Sequence, residues 1–264
     1  MSSSHPTNPS TLQALIAEAA EQFVRPGVVL VPTPIGHRGD LSLRAWAALS
    51  TADRIACEDT RHTGQLLKNY GIANKLLALH QHNEHQAARP LLEQVQREGW
   101  LLAVVSDAGL PGLSDPGFKV VETTHELALP VTVLPGANAA LTALLGSGLN
   151  TEQFVFEGFL PTKKGRKSRL QTLAQEPRTL IFYESPHRLE KALGELAEHF
   201  GPERRACVAR ELTKVHETYH RGTLGELHAY FQAEAPKGEI VIIIQGKSTP
   251  GKQRLERTPH PIYG

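Results

Sequence analysis

Short apolar runs alternate with amphipathic stretches through the first half of the chain. Val28–Val31, Arg54–Cys57, Leu76–Leu79, Leu101–Val105 and Val131–Leu134 have the length and continuity of buried strands. Between them, Leu41–Leu49, Thr60–Tyr70, His85–Arg97 and Phe118–Leu127 repeat apolar residues at helical spacing, with Gly71 and Gly99 as stops. Continuous aliphatic strands separated by helices predict a parallel sheet covered on both faces. Upstream, a polar start gives way to Leu12, Leu15, Ile16, Ala19 and Phe23, which predicts a tail and an appended helix closed by Pro26-Gly27.

The rhythm changes after Ala139–Gly148, read as a helix that closes the first domain. Phe154–Phe159, Thr179–Tyr183, Ala206–Arg210, Glu217–Gly222 and Ile240–Gln245 read as strands, with helices at His187–Phe200 and Leu224–Gln232. Only Glu211–His216 separates two of these strands, so they should pair antiparallel, and the second sheet should be mixed. The expected organisation is a tail and helix over residues 1–26, an α/β domain over 27–148, a second over 149–246, and a basic tail from Lys247 to Gly264 with three prolines and four basic residues.

Two domains also suit a length of 264 residues, since one domain takes about 100–200. Lys and Arg number 28 against 27 Asp and Glu, which excludes a uniformly basic coat but not a local basic patch. Cys57 and Cys207 are too few for a disulfide framework or a structural zinc site, and no metal is expected. The run Ile240–Ile244 is far shorter than the roughly 20 residues of a membrane span. Nor does the N-terminus resemble a signal peptide, so no membrane association and a cytoplasmic location are expected.

In open α/β sheets, ligands lie beyond the carboxyl ends of the strands. The first strand runs into Pro32-Thr33-Pro34-Ile35-Gly36, the fourth into the segment Ser106–Gly117, and the fifth into Pro135-Gly136-Ala137-Asn138. Gly and Pro let these backbones approach a ligand closely and hold still there. Neither a Walker loop nor Gly-x-Gly-x-x-Gly after the first strand is present, which disfavours a nucleotide-triphosphate or dinucleotide site.

Seven motifs follow in order: Val31–Gly36, Ala56–Thr63, His80–Glu84, Ser106–Gly109 with Ser114–Gly117, Phe156–Pro161, Tyr183–Arg188 and Ala209–Lys214. Together they resemble the small-subunit rRNA cytidine-2′-O-methyltransferase family of the tetrapyrrole-methylase fold group, over roughly Val28 to Gly246. The resemblance implies a class III methyltransferase, with S-adenosylmethionine in a cleft between two α/β domains. Its product would be a ribose 2′-O-methylcytidine in the decoding region of 16S rRNA, the partner 16S rRNA or the 30S subunit, and the active form a homodimer. The cofactor contacts it implies are Pro34, Ile35, Gly36, Asp107, Ala108, Gly109, Leu110, Pro111, Ser114, Asp115, Pro135, Gly136, Glu157, Gly158, Leu212 and Ile240. Three positions depart from the family pattern. His37 replaces Asn, Leu110 replaces Thr and so removes a hydroxyl, and Asn138 replaces Ser.

A ribose hydroxyl is a poor nucleophile, and a positioned base typically contributes about 10²–10⁴-fold. Three groups offer one: Glu58-Asp59 with Arg61, His80/His82/Glu84, and Glu184 with His187 and Arg188. Asp59 is the preferred base or base-orienter and Arg61 the preferred phosphate or ribose clamp, with His80 and Glu184 as further catalytic candidates. Asp59-Thr60 also reads as a helix cap, as does Ser185-Pro186. The plain reading of the run Lys163-Lys164-Gly165-Arg166-Lys167-Ser168-Arg169 is a solvated loop, but five charges concentrated on a chain of net charge +1 favour contact with RNA backbone. No RNP-type aromatic platform is evident.

Two other readings are open. A tetrapyrrole C-methyltransferase shares the fold and would be separated by methyl transfer into isolated 30S subunits. A non-catalytic cofactor-binding or ribosome-assembly module would bind the cofactor and transfer no methyl to RNA.

Overall fold

The structure, a computed structural model, describes residues 9–80 and 83–247. The chain divides into two compact units after Asn138.

The first unit runs α1 (Pro9–Glu21), β1 (Gly27–Leu30), a 3-10 turn (Arg38–Asp40), α2 (Leu43–Thr51), β2 (Arg54–Cys57) and α3 (Thr60–Asn69). It continues with β3 (Leu76–Ala78), α4 (Glu84–Glu98), β4 (Leu101–Val104), α5 (Phe118–Glu126) and β5 (Val131–Val133). Its strands form one sheet in the order β3-β2-β4-β1-β5, every pairing parallel. Successive residues on a strand face opposite sides, and the cores follow that alternation. Val29 of β1 packs with Ala103 of β4, Phe23, Leu49 and Leu67 on one side. Val28 and Leu30 pack with Leu102, Val104, Leu92, Val95 and Val120 on the other. Because all five strands run the same way, the five loops that follow them open at one sheet edge.

The second unit comprises α6 (Ala139–Ser147), β6 (Phe154–Phe159), α7 (Arg166–Leu173), β7 (Thr179–Glu184), α8 (Pro186–Phe200), β8 (Arg205–Arg210), β9 (Thr218–Thr223), α9 (Leu224–Ala233) and β10 (Ile240–Ile244). The sheet order is β6-β7-β10-β8-β9. β6 and β7 are parallel and the remaining pairs antiparallel, including the expected β8–β9 pair. Helices α7, α8 and α9 cover one face through Leu170, Leu173, Leu189, Leu193, Leu196, Leu224 and Phe231, packed on Leu180, Phe182, Val208 and Ile242.

Two expectations need correction. The division falls after Asn138 rather than at 148, because α6 packs on β7, β8, β9 and β10. Arg221 reinforces that attachment by donating to the carbonyls of Gly146 and Ser147 at the end of α6. The basic run is also not a loop. From Arg166 it is the first turn of α7, whose Leu170 and Leu173, with Ala174 just after the helix, bury against the second core. Spacing of three and four residues is the helical signal, which five nearby charges obscured. The segment Ser248–Gly264 lies outside the described residues, as does His82. Among the described residues, no helix is long and apolar enough to cross a membrane.

Candidate active site

The carboxyl edge of the first sheet is held by backbone contacts between its loops. Thr33, after β1, exchanges both backbone hydrogen bonds with Gly109, after β4, at 2.9 and 3.0 Å. The Thr33 hydroxyl, only 1% exposed, donates to the Ser106 carbonyl at 3.1 Å. Ser106 in turn donates to the Gly109 carbonyl at 3.2 Å. A Cβ on Gly136, after β5, would lie 2.6 Å from the Pro32 side chain, and one on Gly109 would lie 3.3 Å from Ile35. Bare backbone at these two positions is therefore what lets three strand ends converge.

Of the predicted cofactor contacts in this unit, Pro34, Ile35, Gly109 and Pro111 are buried, and Asp107 and Leu110 half-buried. Gly36, Ala108, Ser114, Asp115, Pro135 and Gly136 are exposed. The structure brings the whole group to one edge. His37, which stands where the family pattern has Asn, turns back so that its Nδ1 accepts the Gly39 N–H at 3.0 Å and caps the 3-10 turn.

Carboxylates collect beside these loops. The Asp59 N–H donates to Asp107 Oδ1 at 3.4 Å. Asp115 keeps solvent contact, yet packed protein around it, and then the charges of Glu58 and Asp107, push its pKa up to about 6. Asp59 behaves oppositely. It caps α3, accepting the Arg61 N–H at 2.8 Å and the His62 N–H at 3.3 Å. Those bonds, the Arg61 N–H first and its guanidinium next, hold Asp59 below its ordinary value. A carboxylate so stabilised is a weak proton acceptor, which favours the capping and orienting role over the role of base. Arg61 is 91% exposed and pairs with Asp59 at 3.3 Å, within reach of a solvent-borne anion.

His80, Asn83 and Glu84 serve the backbone. The Asn83 side chain accepts the His80 N–H at 2.8 Å, and the His80 carbonyl accepts the N–H groups of Asn83 and Glu84 at 3.0 Å each. Glu84, named in the sequence only as a possible base, is buried, and its Oε1 accepts three backbone N–H groups at the start of α5. A sequence pattern names residue types; which helix end a carboxylate faces is a matter of topology.

In the second unit, charged candidates are largely paired. The Glu184 side chain is 2% exposed, accepts the Ser185 N–H at 2.8 Å and pairs with Arg188 at 3.3 Å. It is a structural ion pair, and Ser185 makes no side-chain cap although Pro186 opens α8 as expected. Glu157 forms a two-pronged pair with Arg169. Arg166 is 11% exposed, pairs with Glu195 at 2.6 Å and donates to the Pro161 carbonyl, which removes it from the solvent-facing set. Lys163, Lys164 and Lys167 remain exposed around Gly165. Gly158 sits at a bulge with φ 64°. Leu212 is buried between Glu211 and Thr213, whose φ values of 52° and 63° mark a strained turn. The Ile240 side chain belongs to the core, so only its backbone can meet a ligand.

Comparison with known proteins places these features in context. The tetrapyrrole (corrin/porphyrin) methylase family matches residues 27–228. The chain is 50% identical over 218 residues to the ribosomal RNA small subunit methyltransferase I of Synechocystis sp., covering 82% of this chain and 78% of that protein. It is 49% identical over 220 residues to the protein of the same name from Escherichia coli O157:H7, covering 82% and 77%. The structure of uroporphyrin-III C-methyltransferase from Thermus thermophilus, complexed with S-adenyl homocysteine, superposes with a TM-score of 0.59. It is 20% identical and covers 82% of this chain and 96% of its own, a likeness of fold.

Proposed function

The chain belongs to the ribosomal RNA small subunit methyltransferase I family within the tetrapyrrole methylases, and from that premise we propose that it methylates the ribose 2′-oxygen of a cytidine in the decoding region of 16S rRNA. The observation that carries this reading is the 50% identity over 218 residues to a ribosomal RNA small subunit methyltransferase I, since the wider family match from 27 to 228 is equally that of tetrapyrrole methylases. When bound, S-adenosylmethionine supplies the methyl group. The hydroxyl oxygen gains that methyl, the hydroxyl proton is lost, and S-adenosylhomocysteine remains.

The residues present fit such a donor on two counts. Gly109 and Gly136 leave backbone bare where three loops converge. Glu58, Asp107 and Asp115 place negative charge where a cationic sulfonium gains from it. Pro34–Gly36, Asp107–Pro111, Ser114-Asp115 and Pro135-Gly136 hold the donor in this reading. Proton acceptance falls to the carboxylate cluster, in which Asp115, its pKa pushed up to about 6, takes the part of base. Asp59 fixes the start of α3 and orients Arg61 toward RNA phosphate or ribose. Lys163, Lys164 and Lys167, with the partly exposed Arg169, supply attraction for RNA backbone, beside a concavity of about 410 Å³ lined by Phe159, Ser168 and Arg169. A homodimer acting in the cytoplasm completes the proposal.

The test is transfer of labelled methyl from S-adenosylmethionine into isolated 30S subunits and naked 16S rRNA, with the modified nucleotide mapped. Label at a cytidine 2′-oxygen is expected. Label in a tetrapyrrole and none in RNA would overturn the reading.

A further inference from the structure

Helix α5 begins without a cap of its own. Its N-cap residue is Gly117, which has no side chain, and Phe118, Lys119 and Val120 make the first turn. Such a turn leaves N–H groups unpartnered, which is costly where water is excluded. Glu84, at the first position of α4, meets that need from a separate element. Its Oε1 accepts the Gly117 N–H at 2.9 Å, the Lys119 N–H at 2.9 Å and the Val120 N–H at 3.2 Å. The carboxylate is 7% exposed, and its charge sits at the positive end of the helix dipole.

The segment that ends at this cap is conformationally demanding. Between Ser106 and Gly117, four residues have positive φ: Gly109 at 82°, Gly112 at 84°, Ser114 at 67° and Gly117 at 133°. A Cβ on Gly117 would lie 2.9 Å from the Gly112 nitrogen, and Gly112 donates to the Pro116 carbonyl at 2.9 Å. Strained backbone persists only where its surroundings over-determine it. Thr33 and Ser106 fasten the beginning of the segment, and Glu84 fastens its end. Asp115 and Pro116 hang between the two anchors.

We propose that Glu84 is a positioning residue for methyl-donor binding: it clamps the start of α5 and thereby sets the Leu110–Pro116 loop in its donor-binding shape. Glu84 is then a brace between α4 and α5, with Asn83 accepting the His80 N–H and the His80 carbonyl accepting the Asn83 and Glu84 N–H groups beside it. This inference rests on the reading that the loop takes S-adenosylmethionine.

Calorimetry with S-adenosylhomocysteine on wild type, Glu84→Ala, Glu84→Asp and Glu84→Gln, each confirmed folded by circular dichroism, separates the two claims. Absence of binding by wild type would sink the donor site itself, and amide exchange would still report on the clamp. With wild type binding, Glu84→Ala is expected to weaken affinity about tenfold, the scale of one lost cap. Amides of Gly117–Val120 should exchange faster, and because the same loop carries Asp115, kcat should fall together with affinity. Glu84→Gln, which keeps an acceptor oxygen at the same reach, should recover most of the affinity. Glu84→Asp draws the oxygen back by one methylene and gives the reading if the Ala variant does not fold. Wild-type affinity and unchanged exchange in the Asp variant, or in a folded Ala variant, would overturn the proposal. So would a fall in kcat at saturating donor with affinity unchanged.

Discussion

The carboxyl edge of the first sheet and the β6–α7 corner of the second are both rich in polar residues but use them differently. At the sheet edge, side chains serve backbone. Thr33 and Ser106 bind carbonyls, Asp59 and Glu84 bind helix N–H groups, and His37 binds Gly39. At the corner, side chains serve one another, as Arg166 pairs with Glu195 and Arg169 with Glu157. A surface whose backbone is so over-determined suits shape-specific recognition of a small molecule. A surface whose paired charges leave Lys163, Lys164 and Lys167 over suits a polyanion, which needs charge more than shape.

Breaking the backbone order at the sheet edge should have the largest effect. Gly136→Val puts a Cβ at a point 2.6 Å from the Pro32 side chain, so one of the two loops must move. A displacement near 1 Å at reacting groups costs about 10²-fold in rate. Methyl-transfer assays should show a loss of that order, with S-adenosylhomocysteine affinity falling in parallel. At the corner the effect should divide by residue. Replacing Lys163, Lys164 and Lys167 with Ala should weaken RNA binding and reduce the slope of log affinity against log salt by about 2, three contacts at about 0.7 each. Arg166→Ala should instead cost about 1–3 kcal/mol of stability and leave the salt slope alone. Filter binding across salt concentrations and thermal melts distinguish the two outcomes. A slope that falls with Arg166→Ala and not with the lysines would reverse the assignment.

Much of this architecture was legible in the sequence because hydrophobic periodicity reports burial directly. Val28–Leu30 and Leu101–Val104, apolar at every position, could only be strands covered on both faces, and they are. The Asp59 cap was legible because capping is local in sequence. Long-range events were not. Nothing in Ala139–Ser147 says which sheet its apolar face will choose, and nothing in Arg166 says that Glu195 of α8 will face it. Glu84 was seen as a possible base for the same reason, since its partners lie more than thirty residues away. The departure of Asp115 from ordinary acidity comes first from the protein packed around it and then from Glu58 and Asp107, which the parallel pairing of β2 and β4 brings to the same edge.

A gentler probe of the sheet edge is pH. The folded protein holds the Asp115 proton up to about pH 6, whereas an unfolded chain releases it near 3.8. Between those values the native state binds more protons, so this group lowers stability as pH rises through the window, and its full cost persists above 6. Asp115→Asn should therefore raise the melting temperature at pH 7.5, and the advantage should fade as pH falls toward 4. Cationic S-adenosylmethionine should gain affinity over S-adenosylhomocysteine as wild type is taken from pH 5 to 7.5. The Asn variant should lose that differential. An equal pH response of the two ligands in wild type would remove Asp115 from the neighbourhood of the sulfonium.

The smallest expected effect lies at His37, one residue beyond the first ligand loop. The family pattern has Asn here, and the ring nitrogen performs what an Asn carbonyl does in an Asx turn: it accepts an N–H two residues on. His37→Asn should therefore stay within about 0.5 kcal/mol of wild type in thermal denaturation, the range of a surface change that keeps its hydrogen bond. His37→Ala, which leaves the Gly39 N–H to water, should cost about 0.5–2 kcal/mol, as for other lost caps. Donor affinity should be the same in both variants, because the ring is spent on the turn. A gain in S-adenosylhomocysteine affinity with Asn would show instead that this side chain meets the ligand, and that the edge is tuned for binding one residue further than its backbone order extends.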